Sequence, residues 1–308
     1  MDLALTVLFQ VIIMLLLIGV GIIALKCKLV TEEGKKQLSN LLLYIVIPAV
    51  ILNSYRSKFD ASLVSGLLWS FLLAIVSHLI AIAVAYLFFH KKGDSRSALT
   101  RFCCIYSNCA FMAIPLIHSL LGDIGVFYAS AYITIFNLFS WTQGIIMLTG
   151  KTTLKDIGKA LLSPTVISVV VGLAVFFLRI PIPDVIGKPI EYLAALNTPL
   201  SMIVIGVSIG QANILSCFTS LKLYAITFVR NLLIPGLVLI ILLFLPFDKN
   251  ILLCILIEIA CPTAASSVMF ATKYQLDAEY ASKVVALTTI LSIITIPLMV
   301  FLFQLGQG

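Results

Sequence analysis

Apolar residues run in long blocks along this chain, and the polar residues between them are confined to short connections. Ten blocks stand out, at about 5–25, 38–54, 63–89, 99–120, 125–148, 162–178, 189–212, 221–245, 251–272 and 281–304. About 20 apolar residues carry a helix across a bilayer, so the pattern predicts an all-α membrane protein with ten transmembrane helices. The blocks take up most of the 308 residues and leave no room for a soluble domain. The first follows Met1-Asp2 without a basic leader and outruns a signal-peptide core, so it is read as a retained helix.

Two blocks carry an interruption. The fourth contains Ser107-Asn108-Cys109-Ala110-Phe111-Met112-Ala113-Ile114-Pro115. Proline cannot donate a backbone hydrogen bond and its ring clashes with the preceding turn, so Pro115 is expected to break this helix. Asn108 lies two turns earlier on nearly the same face. The ninth block repeats the device around Pro262, in Glu258-Ile259-Ala260-Cys261-Pro262-Thr263-Ala264-Ala265-Ser266-Ser267. Lipid cannot satisfy freed backbone groups, so broken backbone at membrane depth must be buried in protein or line a watery cavity. Pro48 is expected to kink the second helix.

The proline spacing suggests a repeat. Pro115 follows Pro48 by 67 residues, and Pro262 follows Pro199 by 63. His78 follows Pro48 by 30 residues, and Arg230 follows Pro199 by 31. Five helices per half force the second half into the membrane upside down. The chain is therefore read as two inverted five-helix repeats, 1–150 and 161–308, joined by a cytosolic linker at 151–160, with helices 4 and 9 crossing near the midplane. Half-helices after the breaks would present unpaired N–H groups and partial positive charge, which suits a carboxylate. The candidate substrate-binding residues are Asn108, Pro115, Pro262, Thr263, Ser266 and Ser267. His78, Arg230 and Glu258 are ionisable groups within apolar blocks, where such groups are functional candidates. Glu258 is the acid expected opposite Arg230, as a structural ion pair or as a coupling group. A neutral His78 bonded to a neighbouring helix is the alternative to a functional one.

Smaller signals refine this plan. Gly19 and Gly21 are expected at a close helix contact. Leu121-Gly122-Asp123-Ile124-Gly125 reads as a tight turn, and Ser163-Pro164 as a helix start. Asn53 is expected to cap a helix end or to act near the site. Asn137, Ser140 and Trp141 share one helical face.

Charge supplies the orientation. A net charge of +7 could mark a nucleic-acid binder, but its distribution argues otherwise. With the N-terminus outside, fourteen Lys and Arg fall in inner connections and five in outer ones, leaving Arg230 within a span. The positive-inside rule selects both termini outside, and no nucleic-acid partner is expected. The seven cysteines form no C-x-x-C and read as small buried hydrophobes. His78, His90 and His118 lack metal-ligand spacing, so neither metal nor cofactor is expected. The chain carries no G-x-S-x-G and no P-loop, against a serine hydrolase and a primary pump.

Asn108-Cys-Ala-Phe-Met-Ala-Ile-Pro115 followed by Leu120-Leu-Gly-Asp123, and Ala260-Cys-Pro262 continuing through Phe270-Ala-Thr-Lys-Tyr274 and Pro297, resemble the auxin efflux carrier family. Asn40, Pro48 and Gly206 fit more loosely. The resemblance covers the whole length. It implies crossed fourth and ninth helices, interleaved scaffold and transport domains, an architecture similar to bile-acid symporters and sodium/proton antiporters, and an elevator-like cycle in a homodimer. It implies export of a small organic anion across the cell membrane rather than enzyme activity. Asn108 matches the crossover asparagine that helps hold the substrate carboxylate in plant members. Where plant members carry a serine after the span-two proline this chain has Ile51, and their second proline in helix 9 is Ser267 here. Their long cytosolic loop is absent, and the compact chain is similar to prokaryotic members, so auxin itself is not the expected cargo. The alternative is a sodium- or proton-coupled symporter or antiporter with Glu258 as its coupling group.

Overall fold

The computed structural model describes residues 3–56, 59–90, 94–151, 153–211 and 217–307. Among them the chain is helical, and its one β-type pairing is the isolated bridge between Ser107 and Thr263. Seven helices are long and apolar enough to cross a bilayer: Leu5–Lys26, Glu32–Ser54, Ala61–Phe89, Cys109–Thr149, Asp184–Gln211, Leu221–Leu243 and Ala278–Gln307. The remaining apolar blocks fold as shorter helices: Ser95–Ile105, Pro164–Leu178, Lys249–Ala260 and Ser266–Lys273. The expected linker is itself partly helical, over Leu154–Leu161.

Local chemistry explains where these helices begin and turn. Asp60, Asp94 and Asp248 each sit one residue before a helix and accept a bond from a first-turn amide, at 2.8, 3.0 and 2.8 Å. Each carboxylate also meets the positive end of the helix dipole. Ser163 caps the helix that Pro164 opens, as its sequence implies. At Gly122 the backbone takes φ 63° and ψ −152°, so the chain turns there between Ile114 and Phe139.

The prolines behave differently from expectation. Pro48 and Pro115 do not break their helices, which run on through them. Each follows a five-residue π turn, Leu42–Val46 and Cys109–Ala113, and Val229–Leu233 stands in the same way before Pro235. In all three an isoleucine comes between, and its amide bonds five residues back, to Leu42, Cys109 and Val229. The wider turn accommodates the residue that lacks a donor and clashes four residues back. The actual break in the first interrupted helix lies upstream, at 106–108.

The two interrupted helices form the centre of the molecule. Residues 97–105 and 251–260 are buried at every position. Around them, Leu3–Lys26 packs on Asn197–Gln211 through glycines. A Cβ on Gly21 would lie 2.3 Å from the Ile203 carbonyl oxygen, and one on Gly206 would lie 2.1 Å from that of Ile18. Gly19 faces open space, so only Gly21 fulfils the packing role expected of that pair.

Contacts between connections define two ends. At one, Lys35 bonds Gln211, Arg96 pairs with Asp277 at 3.1 Å, and Arg96 and Lys222 both sit over the Tyr280 ring. At the other, Asn53 bonds Asp123 at 3.1 Å and Arg56 bonds the Gly187 carbonyl at 3.2 Å.

Gly206→Ala should destabilise the protein by about 1–3 kcal/mol, the usual cost of overpacking a fitted contact. Gly19→Ala should be close to neutral. Thermal unfolding in detergent checks both, and an equal effect at the two glycines would contradict the packing.

Candidate functional site

The segments that interrupt the helices meet as short antiparallel strands. Asn108 N–H donates to the Pro262 carbonyl at 2.7 Å, and Ala264 N–H donates to the Tyr106 carbonyl at 2.9 Å. Ser107 and Thr263 face each other between these bonds. Each broken stretch thus supplies the partner that the other lost, as buried backbone requires. Pro262 belongs here because its carbonyl accepts while its missing N–H leaves nothing to satisfy.

The C-terminal ends of the half-helices Ser95–Ile105 and Lys249–Ala260 are closed by side chains. Arg230, with no exposed surface, sends Nη1 to the Cys104 carbonyl at 3.1 Å and to that of Ile105 at 3.4 Å. Its Nη2 reaches the carbonyls of Ile259 and Cys261, both at 2.8 Å, and Nε reaches Cys261 at 3.2 Å. Thr263 Oγ1 donates to the Cys103 carbonyl at 2.8 Å, and Thr263 N–H donates to Thr288 Oγ1 at 3.2 Å. Asn231 Nδ2 holds the Thr288 carbonyl at 2.8 Å.

These bonds correct the expected ion pair. Among the described residues Arg230 makes no ion pair with Glu258; its donors go to main-chain oxygens. Thr263 is engaged in holding the crossing, with its hydroxyl on a carbonyl. His78 is also bonded differently from expectation: Nδ1 lies 2.8 Å from the Ala74 carbonyl of its own helix. Its ring packs on Tyr132 at 4.8 Å and Phe139 at 5.5 Å.

The N-terminal sides of the breaks are different in kind. Asn108 Nδ2, Ser266 Oγ and both oxygens of Glu258 are buried without a hydrogen-bond partner among the described residues, whereas Ser107 Oγ meets Cys109 and Tyr132 and Ser267 Oγ meets the Cys103 thiol. Asn108 stands at the start of the π turn Cys109–Ala113, and Ser266 opens the half-helix Ser266–Lys273. At the carbonyl ends Arg230 and Thr263 thus hold the carbonyls of Cys103, Cys104, Ile105, Ile259 and Cys261, while at the amide ends Asn108 and Ser266 keep unengaged polar atoms. Trp141 supports the second half-helix, its ring 5.0 Å from Phe270. Asn137 and Ser140, on the same face, bond back to carbonyls of their own helix.

A cavity of about 760 Å³ approaches this site from the end that carries Asn53 and Asp123. Its walls are Val50, Asn53 and Arg56, then Ile114, Pro115, His118 and Asp123, then residues from Glu191 to Thr198. Pro115 thus lies on the approach. Helix rise puts it about 10 Å from Asn108, which does not line the cavity. The wall is strung together by Arg56 Nη1 on Asn53 Oδ1 at 3.0 Å, Asn53 on Asp123, and His118 Nε2 at 3.5 Å from Asp123. Sequence reasoning treated Arg56 and Asp123 as loop residues and missed this rim. No spacing rule brings 53 beside 123 or 263 beside 288.

A largely buried helical assembly with a polar crossing, and a cavity that stops short of it, is the design of a membrane carrier. The family model for "membrane transport protein" matches residues 6–300, and the chain belongs to that family, the auxin efflux carriers. An uncharacterized transporter of Methanocaldococcus jannaschii is 25% identical over 311 aligned positions, covering 94% of this chain and 96% of the relative. An uncharacterized transporter of Methanothermobacter thermautotrophicus is 22% identical, covering 92% and 94% respectively. The protein is a multi-pass membrane transporter, not an enzyme.

Thiol chemistry tests the openness of the cavity. In a Cys27→Ser background, Ala194→Cys on the cavity wall should react with a water-borne maleimide. Buried Cys103, Cys104, Cys109, Cys254 and Cys261 should react only after unfolding. Prompt labelling of Cys109 in the native protein would contradict the closure between cavity and crossing.

Proposed function

We propose that the protein carries a small organic anion, a carboxylate, across the cell membrane, and that the cargo is held at the amide ends of the crossing. One observation carries this reading: the carbonyl ends are closed by Arg230 and Thr263, while Asn108 and Ser266 keep unengaged polar atoms beside helix N-termini, with Ser267 next to them on the Cys103 thiol. Helix N-termini and neutral donors favour an anion. Pro115 and Pro262 shape the site, and the 760 Å³ cavity is its approach.

The topology proposed with it is ten crossings in two inverted halves, 1–150 and 161–308. The seven long helices, the two interrupted ones and the short Pro164–Leu178 supply them if Cys109–Thr149 is divided at Gly122. The glycine-packed pair Leu3–Lys26 and Asn197–Gln211 would belong to a scaffold, and both interrupted helices to a moving domain. The cavity falls between these sets, which suits an elevator-type cycle in a homodimer. Both termini would face outward, leaving exposed Cys27 at the cytosolic end. Impermeant maleimide added to intact cells should therefore miss Cys27.

The second reading is coupling to a proton or sodium ion through Glu258, favoured by its two buried, unpartnered oxygens. Flux in proteoliposomes separates the two. In Glu258→Gln, loss of ion-driven uptake supports coupling, and unchanged flux supports a uniporter. For the cargo site, Asn108→Ala should weaken carboxylate binding about 10- to 100-fold, equivalent to one charge-assisted hydrogen bond of about 1.5–3 kcal/mol. A thermal-shift titration of small carboxylates measures this, since ligands of the folded state raise its stability. Wild-type affinity in that variant would remove Asn108 from the site.

A further inference from the structure

The geometry points to Arg230 as a tethered cation, which occupies the place where the crossing would otherwise need a free monovalent ion. The inference goes beyond the cargo reading and stands on the crossing alone. The half-helices Ser95–Ile105 and Lys249–Ala260 end against the same guanidinium. Each helix C-terminus carries roughly half a negative charge, so the two together present about one unit. A single guanidinium supplies the opposite unit. Its planar fork also spans separate carbonyls, which an ammonium cannot do in the same way. The four carbonyls of Cys104, Ile105, Ile259 and Cys261 come from both breaks, so one side chain ties the two halves of the crossing together.

No carboxylate competes for this charge. Among the described residues Arg230 has no acidic partner, and its charge is answered by main-chain dipoles alone. An alkali cation bridging the carbonyl ends of the two half-helices would need those same oxygens, and the guanidinium already holds them. The crossing is therefore assembled without Na⁺ or K⁺. Arg230 acts as a positioning residue, fixing the Cys261-Pro262-Thr263 and Tyr106-Ser107-Asn108 backbones from which the amide ends begin.

The test uses purified full-length protein in chloride solutions of sodium, potassium or N-methylglucamine at equal ionic strength, with melting as the readout. Wild type should melt at one temperature in all three. Arg230→Ala should melt several degrees lower. Millimolar guanidinium, far below denaturing levels, should raise the melting temperature of that variant saturably and leave wild type unmoved, while methylammonium should do neither. A wild type stabilised by sodium or potassium over N-methylglucamine, with the stabilisation kept in Glu258→Gln, overturns the inference. So does an Ala variant as stable as wild type, or one indifferent to guanidinium. Should Arg230→Ala fail to fold, Arg230→Lys keeps the charge and removes the fork. It should melt below wild type with no alkali-ion dependence, and wild-type stability there overturns the fork's role. Failure of the cargo reading looks different: no carboxylate would shift melting of the wild type, while the Arg230 results would be unaffected.

Discussion

Two helices interrupted in the buried centre of the protein leave main-chain groups that no solvent can satisfy, and the rest of the structure follows from how those groups are answered. The interrupted segments answer each other through the Asn108–Pro262 and Tyr106–Ala264 bonds. Arg230 and Thr263 answer the carbonyls that remain. A buried unpaired polar group costs several kcal/mol in hydrocarbon, so this arrangement is a condition of folding as well as of function. It explains why a fully buried arginine is tolerated without an acid beside it. Its partners are peptide dipoles that would themselves be uncompensated.

The same closure sets the polarity of the site. With the carbonyl ends occupied, what the crossing offers a ligand is its amide side, with Asn108, Ser266 and Ser267 nearby. The cavity ends near Pro115, and the crossing itself is buried. A carrier must hide its cargo site from at least one side of the membrane at every stage, and two turns of helix between Pro115 and Asn108 would do this for the site proposed at the crossing. Among the described residues Glu258 is the one acidic side chain that is fully buried.

Much of this was legible in the residues. Apolar blocks predict the membrane helices because burial in lipid demands length and composition together, and the paired Pro115 and Pro262 motifs point to the two interrupted helices. The site of the first interruption was misread. Proline's local chemistry says that Pro115 should break the helix, but a π turn absorbs it, and the break falls at 106–108, where no residue type announces it. Arg230 was recognisable as needing a partner. Glu258 was chosen because side-chain charge is visible in a sequence, whereas the end of a helix as an acceptor is not. The rim of Asn53, Arg56, His118 and Asp123 depends on tertiary approach across some 70 residues and leaves no periodic trace.

A structure of the protein saturated with a brominated small carboxylate tests the central claim most directly, since the halogen locates the ligand without ambiguity. The account predicts the ligand's carboxylate within hydrogen-bond reach of Asn108 Nδ2, beside the N-terminus of Ser266–Lys273, with Arg230 still on its carbonyls. A carboxylate bound to Arg230 in place of those carbonyls, or bound away from the crossing altogether, would contradict it.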